Sequence, residues 1–199
     1  TRFKNLSNGL KKLSSKGIPL AVFFIFIFSI ELSAQDRTFS LESNFNYDSL
    51  IQVNKVSESH ASKFGKILIQ DLGGRMKPVN TFSSELIRKV SKRENYNDLN
   101  SDQMLISIMQ TPVFWYNVPM IFLKRGNDSI RKIIGIRNNE KYASFVSFFD
   151  ENGNYKIASQ LEEAYRSSIP NQFQKDFIEV DRKVNLLYSA LEGKILRFF

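Results

Sequence analysis

The chain contains no cysteine and one histidine, His60, in 199 residues. Without cysteine there are no disulfides, thiolate metal sites or cysteine nucleophiles, and the redox compartment stays open. A lone histidine excludes a His pair for zinc within this chain. The zinc-peptidase pattern His-Glu-x-x-His and the serine elbow Gly-x-Ser-x-Gly are both missing. The phosphate-binding fingerprints fail as well. Gly73-Gly74 is followed by Arg75-Met76-Lys77-Pro78, whereas a P-loop needs Gly-x-x-x-x-Gly-Lys-Ser/Thr, and Pro78 has no amide to donate. The neighbouring acids Glu162-Glu163 and Asp150-Glu151 read as solvated helix and turn residues. No catalytic residue and no metal ligand set is expected, which is a poor inventory for an enzyme acting alone.

The net charge of +8 is unevenly spread. Residues 1–17 carry Arg2, Lys4, Lys11, Lys12 and Lys16 and no acid; the other 182 residues carry 23 cations and 20 anions. A local cluster at Arg88, Lys89, Lys92 and Arg93 falls near the end of an expected helix, where cations favour the negative end of the macrodipole. It reads as a solvated helix end, and no nucleic-acid partner is expected.

Behind the basic tail lies "GIPLAVFFIFIFSIELSA", residues 17–34, almost purely apolar from Ile18 to Ile30. At ~1.5 Å per residue it is about 27 Å long, close to the ~30 Å hydrocarbon core of a bilayer. Leu32-Ser33-Ala34 also resembles a signal-peptidase site that would leave Gln35 first. Both readings place residues 1–16 in the cytoplasm and the rest outside, because cations accumulate on the inner side. We adopt the retained transmembrane helix. The chain begins at Thr1 and reads as a piece of something longer.

Residues 35–58 are polar and weakly patterned, and are expected to form a linker with one helical turn around Leu50, Ile51 and Val53. From 59 onwards the chain reads as one domain, mainly α with one small β-hairpin (α+β). Ile67-Leu68-Ile69 is a short β-like run, Asp71 to Gly74 a turn in which glycine takes positive φ, and Arg75 to Val79 the return strand. Asn80 or Thr81 is expected to cap a helix with Phe82, Leu86, Ile87 and Val90 on one face. A helix over 102–110, capped by Asn100 or Ser101, stops before Pro112. The aromatics Phe114, Trp115 and Tyr116 follow in a packed connection, and 140–149 is expected to be helical. From Asn171 to Phe199, apolar residues at 173, 177, 180, 184, 187, 191 and 195 trace one helical stripe.

The stretch "FGKILIQDLGGRMKPVNTFSSELIRKV", residues 64–90, resembles a segment of system II cytochrome c biogenesis proteins of the fused ResB–CcsA kind. The shared pattern falls on Gln70, Asp71, Gly74, Arg75, Lys77, Pro78, Val79 and Thr81. "NSDQMLISIM", "WYNVPMI", "FFDENGNYKI" and "DRKVNLLYSALEGKILRFF" look similar to that family's downstream region. The resemblance implies an interior periplasmic piece of a larger protein in the bacterial inner membrane. Its partners would be the ResB-like and CcsA-like halves, apocytochrome c and the lipid bilayer.

Such proteins deliver haem and attach it to apocytochromes, acting as a haem lyase or synthetase. The family's tryptophan-rich loop flanked by histidines is absent here, since Trp115 stands alone. No haem ligand transfers residue by residue, and His60 is carried only as a candidate. Gly74, Arg75, Lys77 and Pro78 are the motif residues expected to shape the hairpin or to meet a partner. Arg75 and Lys77 are taken as exposed cations. The competing class is a membrane-anchored extracytoplasmic interaction domain unrelated to haem.

Overall fold

The computed structural model describes residues 46–71 and 73–196. The basic tail, the expected span at 17–34 and the first part of the linker lie outside the described residues. Among the described residues no helix is long and apolar enough to cross a membrane.

The chain from Asn46 onward forms one compact unit. It is mainly helical: α1 (Tyr47–Val53), α2 (Glu58–Gly65), α3 (Val79–Ser91), α4 (Ser101–Gln110), α5 (Pro112–Trp115), α6 (Asp128–Ile134), α7 (Ala158–Arg166) and α8 (Gln172–Leu191). Three two-stranded antiparallel ribbons accompany them: β1 (Leu68–Gln70) with β2 (Met76–Pro78), β3 (Asn95–Tyr96) with β4 (Leu99–Asn100), and β5 (Ile121–Phe122) with β6 (Tyr142–Ala143). The single hairpin expected from sequence is β1–β2. The two others consist of two-residue strands, too short to carry a period-2 signal.

Residues 46–58 are mostly exposed but are pinned to the rest of the domain. Ile51 of α1 is fully buried, and the Tyr96 hydroxyl donates to Asp48 Oδ1 at 2.5 Å. α2 starts at Ser57, whose Oγ accepts the His60 amide at 3.2 Å. It ends where Gly65 passes close to α4: a Cβ there would lie 2.6 Å from Asp102 Oδ2. Asp102 in turn accepts the Ser83 hydroxyl of α3, so its carboxylate ties α4 to α3 where α2 packs against both.

The helix after the hairpin corrects the expected cap. Neither Asn80 nor Thr81 serves; α3 begins directly at Val79, with extended Pro78 in the cap position and no side-chain cap bond. The Val79 amide donates to Ile67 O at 2.9 Å, continuing the β1–β2 pairing into the first helical residue. That leaves no room for a separate capping turn. α3 then buries Val79, Phe82, Leu86, Ile87 and Val90, and Lys92 closes it at φ +57. Each large apolar side chain fully buried in this way contributes ~1.5–3 kcal/mol.

α4 carries a capping box: Asn100 Oδ1 accepts the Gln103 amide at 2.9 Å, and Gln103 Oε1 accepts the Asn100 amide at 3.1 Å. Trp115 is fully buried, and its indole N–H donates to Ser107 Oγ at 2.9 Å. Phe114 and Tyr116 are half-buried beside it.

The expected helix over 140–149 is not there. Tyr142–Ala143 pairs with β5, and only Val146–Phe148 makes a short 3-10 turn. Tyr142, Phe145 and Phe149 have helical spacing, but they satisfy it with a strand followed by a tight turn. Phe149 bridges to Tyr155 around a loop in which Asp150 Oδ1 accepts the Asn152 and Asn154 amides.

α8 opens on a second capping box, Asn171 with Gln174, and buries Phe177, Val180, Val184, Leu187 and Leu191. The stripe departs from expectation at both ends. Phe173 is 45% exposed, and the helix stops at Leu191 instead of running on. Gly193 turns at φ +65, and Ile195 folds back into the core beyond it. α8 packs against α3, α4, α7 and β5.

Candidate functional site

The motif from Gln70 to Thr81 becomes a closed hairpin leading into α3. β1 and β2 pair in the register Leu68 with Pro78, Ile69 with Lys77 and Gln70 with Met76. Between them the Asp71 amide donates to Arg75 O and the Gly74 amide to Asp71 O, both at 2.9 Å. Gly74 sits at φ +82, where a side chain is strained, and Gln70 Nε2 donates to its carbonyl at 3.0 Å.

Asp71 organises the turn. Its Oδ1 accepts the amides of Gly73 and Arg75 at 2.9 Å each. Its Oδ2 meets Lys77 Nζ at 3.0 Å and the Arg75 guanidinium at 3.3 Å. Lys77 Nζ also donates to Glu85 Oε2 of α3 at 2.9 Å. The ammonium therefore lies between two carboxylates, one on the turn and one on the helix.

Each charge shifts its neighbour. The Arg75 amide, followed by the Lys77 ammonium, holds the Asp71 carboxyl down to about 2. Lys77 lowers Glu85, and Glu85 followed by Asp71 raises Lys77.

Of the two motif cations, Arg75 is exposed (79%) and Lys77 is not (13%). The reading of Lys77 as an exposed cation is thus corrected. The strand leads straight into α3, which brings Glu85 over Lys77 and covers it. β2 runs to Pro78, and the Val79 amide makes the last bond across, to Ile67 beside β1, as α3 begins.

Beside this network lies a cleft of about 220 Å³ between the turn and α3. Phe82 and Leu86 of α3, with Leu186 and Ile195, form its apolar wall; Arg75 and Lys89 stand at its mouth. A second, larger groove of about 390 Å³ has aromatic walls. There Phe145 stacks on Tyr188 (5.9 Å, 14°) and Phe149 on Tyr155 (5.2 Å, 29°).

Behind that groove Asp181 accepts from the Tyr155 and Tyr165 hydroxyls at 3.2 and 3.0 Å and from Asn185 at 3.0 Å. Burial, then the Asp181 charge, pushes the Tyr155 hydroxyl up. Sequence reasoning missed this groove, because its aromatics come from three separate segments with no common periodicity.

His60 lies apart from both. It is exposed on α2, with its amide tied to the Ser57 cap, and it lines neither cleft. An axial haem ligand needs a pocket for the macrocycle beside the imidazole. His60 also does not line the neighbouring cleft of about 440 Å³ at Ser57 and Glu58.

The chain is similar to Protein NrfI of Wolinella succinogenes, with 28% identity over 204 residues. The alignment covers all of this chain and 21% of that protein, so the chain spans about a fifth of the length of the curated relative it matches. The likeness does not reach the fused ResB–CcsA arrangement. No family model matches the chain.

Proposed function

We propose that this chain is the inner-membrane-anchored, periplasmic segment of a system II cytochrome c assembly protein of the fused ResB–CcsA type. Residues 1–16 are cytoplasmic, 17–34 cross the bilayer, and 35–199 brace the ResB-like and CcsA-like halves where haem is delivered to apocytochrome c. The likeness to Protein NrfI along the whole chain supports the general role. The observation that carries the scaffold reading is the closed network of Asp71, Lys77 and Glu85. Among the described residues the motif's charges are used on one another, holding turn to helix. Haem handling belongs to the remainder of the parent protein.

Deletion of residues 64–92 from the parent gene, with the membrane halves still expressed, is expected to abolish covalent cytochrome c on haem-stained gels. Normal holocytochrome in that strain would sink the proposal. The aromatic groove favours a second reading, an extracytoplasmic interaction domain unrelated to haem. The sequence flanking this segment in its gene discriminates: further spans and a tryptophan-rich loop downstream support the first reading, and their absence the second.

A further inference from the structure

One cation at the motif cleft, Lys89, lowers Glu85 through space but is paired with no carboxylate among the described residues. Asp71 and Glu85 share Lys77, and Arg75 leans on Asp71. Lys89 follows Glu85 by one helical turn, the spacing at which Glu and Lys usually pair. Here Glu85 is turned away to Lys77 at 2.9 Å. Lys89 is exposed, lines the cleft and forms no ion pair among the described residues. The five charged side chains of the cleft leave it with one net positive charge. A dianion would face both Asp71 and Glu85, so a monoanion suits it better.

The wall beneath Lys89 is apolar, made by Phe82, Leu86, Leu186 and Ile195. Its volume of about 220 Å³ falls below the ~300–1,000 Å³ of sites for drug-sized ligands. It holds a group the size of a single side chain. Capture of a terminal carboxylate is a recurring mode of peptide recognition. We propose that this cleft binds the C-terminal carboxylate of a peptide chain ending in an apolar residue. The carboxylate meets Lys89, and the last side chain packs on the apolar wall. A small free acid gains little from one exposed cation, whereas a chain leaving past Gly73 adds contacts of its own. The inference does not depend on the cytochrome reading.

The test uses the full chain in lipid nanodiscs, with empty nanodiscs as the reference for partitioning. The probe is acetyl-Gly-Gly-(4-fluoro)Phe, as free acid and as C-terminal amide, observed by fluorine NMR. The acid is expected to bind about three- to fivefold tighter than the amide at low salt. Lys89→Gln should reduce the acid to the amide's affinity with an unchanged unfolding midpoint, and Lys89→Arg should keep the preference. Leu186→Gln should weaken both forms alike. Equal binding of acid and amide to the unaltered chain, no binding of either, or a preference that survives Lys89→Gln would overturn the proposal. Acetyl-(4-fluoro)Phe binding as tightly as the peptide would overturn its assignment to a chain terminus.

Discussion

Replacing Lys77 by methionine removes an ammonium from between two carboxylates while keeping a side chain of similar length. Asp71 is held at about 2, below its usual 3.8, and Glu85 lies below its usual 4.5. A carboxyl whose folded pKa is depressed contributes stability above its unfolded pKa and loses it as pH falls through the folded one. The unaltered chain should therefore lose stability from about pH 4.5 down to about pH 2, and Lys77→Met should flatten that acid limb. Unfolding midpoints across pH 2–7 check this, and an unchanged slope would rule the network out as its source. Gly74→Val tests the turn separately. An added Cβ would find only Gln70 Nε2, at 3.9 Å, so crowding is not the difficulty. Strain at φ +82 is, and it should cost ~1–3 kcal/mol by thermal unfolding. The positive φ was legible in Asp-Leu-Gly-Gly. The burial of Lys77 was not, because its second partner is eight residues on and faces it only when no turn separates strand from helix.

Among the elements, α8 was the most legible, since a stripe of apolar residues at alternating three- and four-residue steps leaves few alternatives. Its cap is worth testing. Asn171→Ala removes the acceptor for the Gln174 amide, 2.9 Å away, and should cost ~1 kcal/mol. No measurable loss would mean that water replaces the bond. Gly65 tests the packing of α2 on α4. Gly65→Ala places a methyl within 2.6 Å of Asp102 Oδ2, which Ser83 holds in place. It should destabilise by ~1–3 kcal/mol, and Asp102→Ala should relieve part of that in the double variant. Strict additivity would refute the clash. The failure at 140–149 has the opposite lesson. Tyr142, Phe145 and Phe149 fit a helical period, yet the partner strand β5 lies twenty residues back, and local spacing contains no information about it.

For the whole molecule, the mainly helical class and the hairpin could be read from periodicity and turn chemistry. The packing of α1 could not, because of the three apolar residues in its turn only Ile51 is fully buried, while Val53 is exposed. The proposed topology rests on charge. Five of the cations precede the apolar run and no acid does, so the tail should stay inside. A cysteine introduced at Ser7 should resist an impermeant thiol reagent in intact cells, and one at the exposed Glu151 should react. Labelling at Ser7, or recovery of a chain starting at Gln35, would refute the arrangement.

The place of α8 in the chain also bears on the order in which the fold can be completed. The β1–β2 turn and α3 close on near neighbours in sequence, so they can form while the rest is still being made. The faces of α3, α4, α7 and β5 that α8 covers must wait for the last helix in the described chain. Until residues 172–191 are available, those faces are open to other apolar surfaces, the condition under which intermediates aggregate. A nascent chain arrested at residue 171 should accordingly be held by chaperones and cut by proteases. One arrested beyond residue 196 should escape both.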